Sequence, residues 1–183
     1  MTNLNKKFLD VCKKKSCYSM VPFTHKEFED FEYEKPSEFF DFFWKKYLKF
    51  KSNYKSKYKK EINNSYNGSA LEIILCYLFT RENIEIENMD EEVDVKFVKP
   101  DFLLNSNNKK FFISVKVSLR ERWKQADWEA IKYKEKYPNS VCILLMNNKN
   151  EYKSMKSKLD DLSLDTLILA DEDIDEMISS IKG

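Results

Sequence analysis

Glycine and proline are scarce in this chain, with 2 glycines and 4 prolines among 183 residues. That scarcity excludes long flexible linkers, and a chain of this length fits one domain. Histidine is scarcer still: His25 is the only one. The four cysteines, Cys12, Cys17, Cys76 and Cys142, contain no C-x2-C pair, which excludes a four-ligand zinc site. Cys76 and Cys142 sit in apolar runs and read as core thiols, free in a reducing compartment. No stretch reaches the roughly 18 apolar residues of a membrane span, and no secretory leader is evident. The expectation is a soluble, cytoplasmic protein of a prokaryote. Net charge is nearly absent as well. It is only +1, which excludes indiscriminate coating of nucleic acid but not a locally basic cleft.

Apolar residues make up 42% of the chain, enough for a core, and aromatic residues 15%. Charge is unevenly placed. Lys45 to Lys60 carries eight lysines and no acid, while Asp160 to Glu176 carries eight acids and no base. This polarity suits one face turned to DNA and one turned away; the plainer reading is two solvated helix faces.

Along the chain, residues 1 to 20 read as a helix with Phe8, Leu9 and Cys12 on its apolar side. Val21 to Glu34 reads as irregular, and the lone His25, with no Ser or Cys nucleophile nearby, as structural. Pro36 opens a helix whose Phe39, Phe40, Phe43, Trp44, Tyr47 and Leu48 repeat at helical period. Its lysine-rich continuation from Lys51 to Lys60 is placed to run along a phosphate backbone. Asn63 to Gly68 breaks it, and Ala70 to Arg81 is an apolar helix with Glu72 as its one acid. Ile84 to Val98 predicts one or two strands, with Val93, Val95 and Phe97 alternating and Asp94 a reserve acid. Val141 to Met146 and Thr166 to Ala170 are continuous apolar runs of the kind buried on both faces of a sheet. Helices are expected over Glu151 to Leu162 and Glu172 to Ile181. The implied architecture is α/β: a central mixed sheet flanked by helices, with a helical N-terminal part over 1–62 and a core over 66–183.

The chemistry concentrates between Lys99 and Ala130. Asp101 follows Pro100 and precedes a short strand, Phe102 to Asn105. Asn107 and Asn108 tolerate the left-handed backbone of a tight hairpin. In the returning strand, Lys109 to Ser118, Phe112 is expected on one face and Ser114, Lys116 and Ser118 together on the other. The hairpin thus brings Asp101 back towards Ser114 and Lys116. A carboxylate and a lysine on adjacent strands make half of a phosphodiesterase site, with Mg²⁺ held by the acid and the lysine countering charge on the phosphate. A second acid is expected at Ser114 and is missing. The helix beyond can replace it. Ser118 and Glu121 form an S-x-x-E capping box, which places the helix start at Ser118. The four residues back to Ser114 cover roughly 13 Å of strand, and the eleven forward to Glu129 roughly 16 Å of helix. Glu129 therefore comes level with Ser114, on one helix face with Arg122, Gln125 and Ala126.

Pro100-Asp101, Ser114-Val115-Lys116 and Glu129 together resemble the PD-(D/E)xK nuclease superfamily in its swapped-glutamate form. The Arg120-Glu121-Arg122 triplet just after the lysine is similar to that of the type II restriction endonucleases EcoRII, NgoMIV and PspGI. The similarity covers roughly residues 66 to 147, and the gap from Pro-Asp to Ser-x-Lys is shorter here than in NgoMIV-type members. The resemblance implies a restriction-endonuclease-like fold and Mg²⁺ bound by Asp101 and Glu129 with the Val115 carbonyl. It also implies Ser114 and Lys116 in the catalytic motif, and Glu72 next to the metal's ligands. The triplet is implied to read CC:GG in the major groove, where arginine pairs with guanine and glutamate accepts from cytosine. Double-stranded DNA is the implied substrate, a homodimer the implied assembly at a palindrome, and a cognate methyltransferase encoded nearby the implied companion. The alternatives are a structure-specific or repair nuclease of the same fold and a non-catalytic DNA-binding module.

Overall fold

A computed structural model describes residues 22–59, 61–63, 65–89, 93–118 and 122–183. The expected helix over 1–20, Cys12, Cys17, Arg120 and Glu121 lie outside the described residues. Among the described residues no helix is long and apolar enough to cross a membrane.

The first element is one the sequence reading left irregular. A short helix α1 (His25–Asp30) begins at Thr24, whose hydroxyl caps the Glu27 N–H while the Glu27 carboxylate accepts from the Thr24 N–H. The T-x-x-E spacing of this reciprocal cap was legible. The helix delivers Phe28, fully buried and stacked 3.8 Å from Tyr77 at 8°. His25 lies 2.9 Å from the Tyr77 hydroxyl and 3.0 Å from Glu29.

Helix α2 (Pro36–Tyr58) starts on its proline, at the position where a missing N–H costs nothing. Phe39, Phe40, Phe43 and Tyr47 form its buried stripe. Helix α3 (Ser65–Arg81) begins earlier than expected. The Asn63 side chain accepts from the Ser65 N–H, and the helix runs straight through Gly68. One glycine costs only roughly 1 kcal/mol in a helix, and burial of nearly every side chain from Ala70 to Thr80 outweighs it.

Five strands follow: β1 (Glu85–Asn88), β2 (Phe102–Ser106), β3 (Lys109–Lys116), β4 (Val141–Met146) and β5 (Thr166–Leu169). They lie in the order β1-β2-β3-β4-β5, antiparallel from β1 to β3 and parallel from β3 to β5. Helix α4 (Arg122–Lys136) joins β3 to β4, α5 (Lys149–Lys156) and a short 3-10 turn (Leu159–Asp161) join β4 to β5, and α6 (Ile174–Lys182) closes the chain. The mixed sheet flanked by helices is therefore as expected. The β2–β3 hairpin turns on Asn107 and Asn108, both in the left-handed region at φ 51° and 61°.

Two cores sandwich the sheet. One gathers α1, α2, α3 and α6 against Phe111, Ile113 and Val115; the other sets Ala126, Ala130 and Tyr133 of α4 against Phe112, Leu144 and Met146. This corrects the expected facing of β3. The strand period of two puts Phe112 on the same face as Ser114 and Lys116, towards α4. The odd face is buried as well, so the strand does not alternate between core and solvent. A second correction concerns Val93 to Phe97. Their alternation suits a strand, but hydrogen bonds from Val93 N to Val98 O and from Val98 N to Val95 O fold them into a turn. Phe97 is exposed there at φ 64°.

Candidate active site

Asp101 stands one residue before β2. The register pairs Phe102 with Ile113, so Asp101 arrives level with Ser114. Its Oδ2 accepts from the Val115 backbone N–H at 2.6 Å and from Lys116 Nζ at 2.8 Å. The hairpin thus sets both the acid and the lysine: the backbone contact fixes the carboxylate, which in turn holds the ammonium. Both are largely sheltered, at 18% and 14% side-chain exposure. That is the range where a charge pair is screened less than at the surface.

The pair opens onto a polar cavity of roughly 680 Å³. Asp101, Val115, Lys116, Val117, Ser118 and Arg122 form one wall. The first turns of α3 form the other, through Ser65, Asn67, Gly68, Ser69 and Glu72. Glu72, placed by the sequence on a helix of uncertain facing, is on the cavity side, and its carboxylate reaches back to within 3.9 Å of where a Cβ on Gly68 would stand.

Glu129 and Ser114 do not line this cavity. Glu129 is 3% exposed, on the buried face of α4, and is not part of the cavity wall. Its Oε1 accepts from Gln125 Nε2 at 2.9 Å. Burial pushes its carboxyl above the ordinary range; the Gln125 hydrogen bond and the Lys116 charge pull against this, and the Asp101 charge adds to it. Glu129 therefore feels both members of the pair without lining the cavity beside them. Ser114 is fully buried, and its hydroxyl has no hydrogen-bond partner among the described residues. Arg122 is the first described residue of α4; it lines the cavity and donates to the Ser118 carbonyl at 3.0 Å. Helix α4 is described only from Arg122, and Ser118 is not helical.

Asp94 does not join the site. It is exposed at the far end of α4, paired with Lys136 and accepting from Tyr137. The lysine-rich part of α2 is also less uniform than its composition: Lys45 pairs with Asp41, Lys46 with Glu27 and Lys55 with Glu61. Part of the acidic C-terminal stretch serves the backbone, since Asp165 accepts from Cys142 N and Asp173 from Leu169 N. Sequence reasoning missed Ser65, Asn67 and Ser69, because they were read as the break before a helix. The S-x-N-x-S run before an apolar stretch was the only signal available.

The fold is similar to that of a solved structure. A solved structure described as a restriction endonuclease PspGI–substrate DNA complex superposes with a TM-score of 0.56 at 16% sequence identity. It covers 98% of this chain and 82% of that one. The fold is the restriction-endonuclease fold. No protein-family model matches the chain, and no curated protein is similar to it in sequence.

Within that fold the cavity's donor set decides which ion suits it. Among the described residues no three His, Cys, Asp or Glu side chains cluster closely enough to hold a metal alone. The acids at hand, Asp101 and Glu72 on the wall and Glu129 nearby, offer only oxygen, and among the described residues neither sulfur nor imidazole lines the cavity. Such donors fit a hard ion that keeps much of its water, as Mg²⁺ does, rather than zinc.

Proposed function

We propose that this protein is a type II restriction endonuclease that hydrolyses both strands of double-stranded DNA, with Mg²⁺, at a short palindrome containing CC and GG. The observation that carries the reading is the Asp101–Lys116 pair, fixed by a backbone hydrogen bond and opening on a polar cavity within a restriction-endonuclease fold. The solved neighbour of that fold is a complex with substrate DNA, which supports DNA as the ligand here.

Each residue has a definable part. Lys116, oriented by Asp101, donates to a phosphate oxygen and counters the charge that grows there in the transition state. Asp101, Glu129 and the Val115 carbonyl would hold Mg²⁺, which when bound polarises the phosphate and makes a water more acidic. Glu72 hydrogen-bonds from the opposite wall to groups around that ion. Ser114 takes the place of an acid on the strand, and Glu129 on α4 supplies the carboxylate. Arg120, Glu121 and Arg122 read the CC:GG step. A palindrome presents two equivalent strands, so the working form is a homodimer, and the host carries a methyltransferase that protects the same sequence.

Digestion of a sequenced plasmid with Mg²⁺ tests the proposal. Discrete fragments whose ends share one CC/GG-containing palindrome support it; a uniform ladder, or intact plasmid, overturns it.

A further inference from the structure

Asn67 stands in the first turn of α3, on the cavity wall facing Asp101 and Lys116. Two side chains of α2 hold its amide. Tyr47, 1% exposed, donates its hydroxyl to Asn67 Oδ1 at 2.9 Å, and Lys51 Nζ donates to the same oxygen at 3.0 Å. An ammonium has hydrogens to give and no lone pair to receive one, so the atom it meets must be the amide oxygen. The usual ambiguity of an asparagine flip is thereby removed. With the oxygen held by two donors, Nδ2 is the free end, and it meets no acceptor among the described residues. Its two N–H groups remain to be satisfied by what the cavity admits.

The geometry points to Asn67 as a phosphate-binding residue of the cleft, its amide N–H groups donating to a DNA backbone oxygen and its carbonyl locked by Tyr47 and Lys51. This rests on the nuclease reading above and adds to it a contact on the wall opposite the Asp101–Lys116 pair. A base contact fits less well. Asparagine reads adenine by using oxygen and nitrogen together, and here the oxygen is already engaged. A phosphate asks only for donors. The first turn of a long helix also carries a partial positive charge, which favours an anion at that place. Tyr47 and Lys51 act through Asn67 and are positioning residues.

The test uses a labelled, pooled random-sequence duplex of about 30 base pairs, whose binding is measured without Mg²⁺ so that no cleavage intervenes. Asn67→Asp keeps an oxygen for Tyr47 and Lys51 but turns the cavity-facing donor into an acceptor. Its affinity is expected to fall about tenfold or more, the scale of a hydrogen bond to a charged group, with an unchanged unfolding midpoint. Tyr47→Phe, which removes one of the two anchors, is expected to lose less. Duplex affinity equal to wild type in N67D overturns the assignment. If N67D lowers the unfolding midpoint, Asn67→Ala is read instead, and wild-type affinity there overturns it equally. A wild-type protein that binds no duplex brings down the nuclease reading and this contact together, whereas normal cutting and binding by the variants brings down the contact alone.

Discussion

Lys116 Nζ lies 2.8 Å from Asp101 Oδ2, although the two residues are 15 positions apart. The ammonium is thus aimed before any substrate arrives. Replacing Lys116 with alanine removes it without disturbing the hairpin, because the Val115 N–H still holds Asp101. Cleavage by K116A should drop by roughly 10²–10³, the effect of losing one preorganised charge-stabilising donor. Initial rates of plasmid nicking measure this, and a rate within threefold of wild type contradicts the role assigned to Lys116.

Asp101 has a structural duty as well. Its Oδ2 is the partner of the Val115 N–H, and Val115 is buried. Asp101→Ala orphans that donor at a cost of about 1–3 kcal/mol. Asp101→Asn can still accept from it through its amide oxygen. Both variants should be inactive, but urea unfolding should separate them, D101A being the less stable. Equal stability would show that the backbone contact carries no weight.

Glu129 predicts an opposed effect on stability and activity. Burial raises its carboxyl in the folded state, so folding favours the protonated form. The wild-type protein therefore loses stability as pH rises from the unfolded carboxylate value, about 4.5, up through the raised folded value. Above that the loss is complete. Glu129→Gln removes the charge while its carbonyl can still accept from Gln125. E129Q should be inactive, yet melt higher than wild type at pH 8, with the gap shrinking towards pH 4. A gap of about 2–4 °C per kcal/mol is expected for a chain of this size. Thermal melts across that range decide it; a gap that widens on acidification has the wrong sign.

Arg122 is the one member of the triplet whose side chain is described, and it stands at the cavity. A bidentate base contact is worth about 1–3 kcal/mol of discrimination. Arg122→Ala should therefore bind a CC/GG-containing duplex and a scrambled one with nearly equal affinity, mainly by losing the former. If both affinities fall by the same factor, Arg122 holds phosphate and carries no sequence information.

The mixed sheet, the hairpin and the meeting of Asp101 with Lys116 were legible because each rests on local rules. Asn107 and Asn108 supply the turn, and strand period sets the register. Two rises per residue predicted Glu129 level with Ser114, but pattern alone did not show that Ala126 and Ala130 turn that helix face into the core, where Glu129 is buried outside the cavity wall. The facing of Phe112 was misread because β3 is apolar on both faces, which blurs a period-two signal. Val93, Val95 and Phe97 alternate without forming a strand, since tertiary context overrode their propensity. Asn67 was invisible for a different reason. Its meaning lies in Tyr47 and Lys51, on another helix, and no spacing in the sequence links them to it.

The most direct test of the account is digestion of a sequenced plasmid with Mg²⁺, by wild type and by K116A side by side, with the fragment ends read. The account predicts discrete ends at one palindrome containing CC and GG for wild type, and, over the time in which wild type cuts to completion, almost wholly intact plasmid for K116A. Identical products from both proteins, or wild-type ends with no shared sequence, would contradict it.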